Sequence, residues 1–112
     1  MAVTRTAKEL AAAVLSDELG ILLNNEDPSG ADEAFVLRKY ETKLEKLVDE
    51  GVAYWPADAI PGAVFDDLAK VMATECAGSF GIAYDKKQEG MFELRRHMAQ
   101  RASSKPTEIM SF

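Results

Sequence analysis

Cysteine is nearly missing from these 112 residues: Cys76 stands alone, so no internal disulfide can form and a reducing compartment is the expected setting. Histidine is as scarce, with His97 by itself, and a structural zinc site needs about four Cys or His ligands at set spacings. No metal or cofactor is expected. Long apolar runs are also lacking. The early stretch Leu10-Ala11-Ala12-Ala13-Val14-Leu15 meets Ser16, Asp17 and Glu18 at once, too soon for a signal h-region or a membrane span. Basic charge is in deficit, 13 Lys and Arg against 19 Asp and Glu, for a net charge of −6. Such a surface does not gather phosphate backbones, because nonspecific nucleic-acid affinity comes from Lys and Arg. The deficit is uneven: residues 1–84 carry 7 basic and 15 acidic side chains, residues 85–112 carry 6 and 4. No internal repeat or low-complexity segment is present.

What the chain does have is helical patterning. Its 47% apolar and 29% charged composition is globular, and its length suits a single domain. Thr6-Ala7-Lys8-Glu9 has capping-box spacing, which predicts a first helix from Thr6 with Leu10, Ala13 and Val14 inward and Gly20 as its stop. Asp27-Pro28-Ser29-Gly30 marks a loop. A second helix is expected over 31–50, about 30 Å long at 1.5 Å per residue. Leu37, Tyr40, Leu44, Leu47 and Val48 supply its inward stripe. Its charged face, with like-charged pairs such as Lys39 with Lys43 and Glu41 with Glu45, is assigned to solvation. Gly51 provides the left-handed stop. The connector 51–61 holds Pro56 and Pro61, which keep it out of helix interiors. Pro61 opens a third helix lined by Val64, Phe65, Leu68, Val71, Met72 and Cys76 and closed by Gly78 and Gly81. A fourth helix is predicted over 85–102, with Met91, Leu94 and Met98 inward. Gly90 is out of place there, since a helical Gly costs about 1 kcal/mol against Ala. The fold class expected is all-α: a bundle of about four helices over 1–102, with an extended C-terminal interaction arm over 103–112.

Chemistry finds little footing. Cys76 lies on an apolar helix face, and His97 sits in Arg95-Arg96-His97 on another helix; nucleophilic catalysis needs such a pair within hydrogen-bond reach and a third group to orient the imidazole. An inert buried thiol is the favoured reading. Asp32-Glu33, Asp49-Glu50 and Asp66-Asp67 are adjacent pairs whose members point apart, suited to capping and solvation; Asp66 and Asp67 are placed in the first turns of the third helix, near the positive dipole end. Gly78-Ser79-Phe80-Gly81 lacks the Lys-Ser/Thr ending of a phosphate loop. No catalytic residues are assigned, and no enzymatic activity is expected. Trp55, beside Tyr54, either anchors a partner or plugs the gap between the second and third helices; a thin core that needs large side chains favours the plug. The arm is broken by Pro106 yet carries Ile109, Met110 and Phe112, which a solvated tail does not normally hold. Ten extended residues reach at most about 33–36 Å, enough to dock on another chain. Trp55, Lys105, Pro106, Ile109, Met110 and Phe112 are therefore the candidate protein-interface residues.

The order of parts resembles the head-to-tail adaptor (head completion, neck connector) proteins of tailed bacteriophages and gene-transfer particles. The resemblance runs over roughly residues 31–112. It is carried by Leu47-Val48-Asp49-Glu50-Gly51, then Trp55-Pro56-Ala57-Asp58-Ala59-Ile60-Pro61 and Cys76-Ala77-Gly78-Ser79-Phe80-Gly81. After these come Leu94-Arg95-Arg96 and the tail Ser104-Lys105-Pro106-Thr107-Glu108 closing on Phe112. The resemblance implies a structural virion protein: a helical subunit in a ring, usually a dodecamer, beneath the portal protein. The ring extends the DNA channel and docks the next neck or tail component, and the terminal arm reaches the portal or a neighbouring copy. It implies a place in the virion neck, assembled in the host cytoplasm, with DNA passing without sequence-specific binding and no membrane. An acidic channel suits that passage. The alternative is a small helical regulatory protein, antitoxin-like or DNA-binding through the basic stretch 86–101, whose DNA affinity would fall steeply with salt.

Overall fold

The computed structural model describes residues 3–21 and 30–103, and over these the chain is essentially all-α. A short strand β1 (Thr4–Arg5) leads into α1 (Ala7–Ala13), which continues as a π-helical turn over Val14–Glu18. Then come α2 (Gly30–Asp49), a strand β2 (Ile60–Pro61), α3 (Gly62–Ala77) with a 3₁₀ turn at Gly78–Phe80, and α4 (Lys87–Ser103). The loop expected at 24–30 falls, apart from Gly30, outside the described residues, as does the arm beyond Ser103.

The predicted capping box forms: the Glu9 backbone N–H donates to Thr6 Oγ1 at 3.1 Å, and the Thr6 N–H donates to Glu9 Oε1 at 2.8 Å. A third open donor, the Ala7 N–H, reaches Asp58 Oδ1 in the connector at 2.8 Å. Sequence patterning does not show the two-residue strands. β1 pairs antiparallel with β2, Thr4 opposite Pro61 and Arg5 opposite Ile60, and the Gly62 N–H donates to Val3 O at 2.8 Å. This clasp ties the start of the chain to the start of α3. Arg5 then lies over the Phe65 ring, 4.9 Å from its centroid.

The core-facing stripe of α2 is Val36, Tyr40, Leu44 and Leu47. Leu37 is only half-buried and Val48 is 50% exposed, which corrects the expected stripe. Val36 at i−4 from Tyr40 continues the face more directly than Leu37, and Val48 lies past its edge. The helix ends as expected at Gly51, with φ of 75°, a region that favours glycine. The Val52 N–H bonds Leu47 O at 2.8 Å and the Gly51 N–H bonds Val48 O at 3.0 Å, the two bonds of a Schellman motif.

Helix α3 is the hub, touching α1, its π turn, α2, α4 and both strands. Its predicted lining is buried throughout, joined by Ala69, Ala73 and Ala77. Pro61 caps it from outside, so Asp66 and Asp67 sit in the second turn and not the first, beyond the strongest part of the dipole. Helix α4 starts at Lys87, two residues past Asp85, and Thr74 satisfies an open donor just before it: its Oγ1 accepts from the Lys86 N–H at 3.0 Å while donating to Lys70 O. Met91 and Leu94 face the core, and Met98 is half-buried.

Gly90 is buried where α4 crosses α3. A Cβ there would lie 2.7 Å from both Asp67 O and Val71 Cγ2. The glycine that patterning finds misplaced is what lets the two helices touch.

Candidate protein-interaction surface

Trp55 is not on the surface. It is 4% exposed, donates from Nε1 to Tyr40 Oη at 3.3 Å, and Tyr40 Oη in turn donates to Ala57 O at 2.8 Å. Burial raises the Tyr40 phenol above its ordinary value, so it remains a donor. Trp55 therefore plugs the gap between connector and helices, and its place among interface candidates is corrected. The other candidates, Lys105, Pro106, Ile109, Met110 and Phe112, lie outside the described residues.

Tyr54, its neighbour, is the aromatic that faces out. Its ring meets Trp55 edge-on at 5.2 Å, stacks on His97 at 5.9 Å, and its Oη lies 3.1 Å from His97 Nε2. The Arg101 guanidinium lies 3.7 Å from the Tyr54 ring centroid. His97 is thus engaged with the Tyr54 phenol, whose ring also carries Arg101, so α4 is pinned to the connector at i and i+4. Cys76 is fully buried, and burial pushes its thiol up to about 11. Among the described residues no group of three or more His, Cys, Asp or Glu could hold a metal ion, and no helix there is long and apolar enough to cross a membrane.

The thiol yields a direct expectation. A thiol raised from 9.0 to about 11 in the folded chain favours folding in full below the lower value, and loses that contribution as pH climbs through the higher one. Near neutral pH, alkylation of native Cys76 should run no faster than global unfolding, read by mass spectrometry against a denatured control. Rapid labelling of the folded protein would show the thiol to be accessible and the burial argument wrong.

On the outside, α2 and α4 flank α3 and leave an open groove between them. It is lined by Lys43 and Lys46 from α2, by Glu50 just past its end, and by Lys87, Gln88, Met91, Phe92, Arg95 and Arg96 from α4. Five of these nine side chains are basic and one is acidic. Phe92 is 64% exposed. Glu75 of α3 bridges two of the lining residues, Lys87 at 3.0 Å and Lys43 at 3.7 Å, tying three helices together. Burial works to raise the Glu75 carboxyl, but the Lys87 hydrogen bond and the Lys43 charge outweigh it and hold it below its ordinary value. Lys43 is lowered by burial in spite of Glu75, because it shares that carboxylate with a closer rival. The α2 cationic face is accordingly not all solvated: Lys43 is a tie to α3, and Lys39 lies over the Phe35 ring at 5.7 Å.

The basic stretch 86–101 is already largely engaged. Lys86 lies over Tyr84, Lys87 holds Glu75, Arg96 holds Glu93 and Arg101 covers Tyr54. A phosphate backbone would have to compete for these cations.

The other side of α2 carries the opposite sign. Glu41, Glu45 and Asp49 stand at i, i+4 and i+8, all exposed, with Val48 beside them and shallow depressions along Leu44. Like charges at i,i+4 repel by roughly 0.2–0.5 kcal/mol per pair. None of the three has an ion-pair partner among the described residues. The pairing of i,i+4 charges was legible in the sequence; that one sign of charge lies beside an exposed apolar residue, and the other beside a groove, was not.

No family model, curated protein or solved structure matches the chain.

Proposed function

We propose that the chain is a structural head-to-tail adaptor subunit: one copy in a ring, usually twelvefold in the family it resembles, that sits beneath a portal. In this reading the ring extends the DNA channel and offers its far face to the next neck or tail component. One observation carries it. The segments on which the resemblance rests are the joints of the bundle. Leu47–Gly51 is the Schellman stop of α2, and the connector 55–61 holds the buried Trp55 and the Ile60–Pro61 strand. The segment 76–81 ends α3 through a 3₁₀ turn into left-handed Gly81, and Leu94 seats α4 on the core. Likeness at joints is likeness of architecture, because joints set how helices are placed. Channel passage of DNA also suits a net charge of −6, which gives phosphates little to hold.

The arm is the part that would reach the portal. Among the described residues 24 buried apolar side chains form one cluster, all between Leu10 and Leu94. Removing 104–112 should leave helicity and the thermal transition nearly unchanged while abolishing co-sedimentation with portal rings from the same genome. Phe112→Ala should weaken that binding about tenfold, the loss of a moderate anchor of about 1–2 kcal/mol. A truncated chain that still joins portal rings would overturn the arm's role. A full-length chain that ignores portal rings, yet binds DNA with a steep salt dependence, would overturn the adaptor reading itself.

A further inference from the structure

The two charged surfaces of α2 face different ways. At 100° per residue, the centre of the stripe of Glu41, Glu45 and Asp49 lies about 130° around the helix from that of Lys43 and Lys46, and no ion pair joins the two sets among the described residues. Each surface nevertheless has what the other needs. The stripe presents carboxylates beside Val48, 50% exposed; the groove presents Lys46 and Arg95 beside Phe92, 64% exposed.

The geometry points to a heterologous contact between copies of this chain, in which the acidic α2 stripe of one copy docks into the basic α2–α4 groove of the next. Complementary patches on opposite sides of one molecule propagate from copy to copy, and close into a ring when the rotation per step allows it. The expectation of closure rests on the adaptor reading; the contact itself rests on the two surfaces. Neighbouring carboxylates that repel in the free chain gain cations on docking, and Lys46 and Arg95, which have no ion-pair partner among the described residues, gain carboxylates. Val48 and Phe92 leave water at the same step. Charge of this kind selects orientation and speeds encounter, and it weakens as salt screens it.

The test uses full-length protein and mixing. One variant carries Glu45→Lys with Asp49→Lys; the other carries Lys46→Glu with Arg95→Glu. Circular dichroism reports that each folds, and if either charge reversal unfolds the chain, Glu45→Gln with Asp49→Asn and Lys46→Gln with Arg95→Gln take their places, read by the weakened association of each variant alone and not by mixing. By sedimentation velocity at low salt, wild-type protein should form multimers that dissociate as salt rises. Each reversed variant alone should remain a protomer, and an equimolar mixture should reassemble, because each then offers the surface the other lacks. Phe92→Ser should weaken wild-type association at least tenfold with no change in charge. The proposal is overturned by a wild-type chain that stays protomeric, by a reversed variant that assembles alone as wild type does, or by a mixture that fails to recover. Portal binding is measured separately. A chain that self-associates this way without binding a portal would sink the adaptor reading alone; a chain that binds a portal as a protomer would sink this contact alone.

Discussion

Trp55→Ala should lower the unfolding free energy by about 3–5 kcal/mol, the range for truncating a buried indole. The indole is 4% exposed, so nearly all of its surface is out of water. Its Nε1–H also satisfies a network: Trp55 donates to Tyr40 Oη, which donates to Ala57 O. Truncation leaves a cavity beside a buried hydroxyl that has lost its donor. For a domain with about 5–15 kcal/mol in total, the loss takes much of the margin. Trp55→Phe separates the two effects, since it keeps a ring and removes only the N–H; a loss of about 1–2 kcal/mol is expected. Urea titrations followed by far-ultraviolet circular dichroism measure both. A Trp55→Ala protein as stable as wild type would place the indole outside the core.

Gly90→Ala should destabilise the chain by about 1–3 kcal/mol, the overpacking range, although alanine is the better helix former by about 1 kcal/mol. The added Cβ would sit 2.7 Å from a backbone oxygen of Asp67 and from Val71 Cγ2. A backbone oxygen cannot rotate away, so α3 and α4 must move apart along their whole crossing. Gly78 supplies the control with the opposite sign. Its φ is −60°, and nothing lies within 4 Å of the Cβ it would gain. Gly78→Ala should therefore be neutral or stabilising by roughly 0.4–1 kcal/mol through the unfolded state. Thermal melts of the pair read the contrast directly. Two glycines that shift the melting temperature in the same direction would refute the close-crossing account.

These variants mark where local pattern informs and where it does not. The capping box at Thr6, the stop at Gly51 and the lining of α3 follow from short-range chemistry: a side-chain oxygen three residues from a Glu, a left-handed φ, an apolar period of 3.6. Each needs only a few neighbours in the chain, so each was legible. The stripe of α2 was misjudged by one position at Leu37 and by one residue at Val48. A half-turn of ambiguity in a helix is settled only by what packs against it, here the connector and α3. The clasp of Thr4–Arg5 with Ile60–Pro61 was invisible because two-residue strands carry no periodicity. Trp55 was open between surface and core for a similar reason: a large aromatic in a proline-bearing loop fits both, and the Tyr40 hydroxyl that decides it is 15 residues away.

The α2–α4 groove shows the same division. Sequence shows acidic excess in residues 1–84 and basic excess beyond, but it does not place either on a surface. Folding consumes many of the charges: Glu75 takes Lys43 and Lys87, Glu93 takes Arg96, Glu89 takes Lys70. Left over are Lys46 and Arg95 in the groove and the carboxylates of the stripe.

The primary structure alone was enough to establish an essentially all-helical chain, the capped start of α1, the stop of α2 and the buried lining of α3, because those properties depend on neighbours within a turn or two. The close crossing at Gly90, the enclosure of Trp55 and the separation of opposite charges onto two sides of α2 came only with tertiary packing. They depend on contacts between residues far apart in the chain, and no local pattern encodes which distant atoms will arrive.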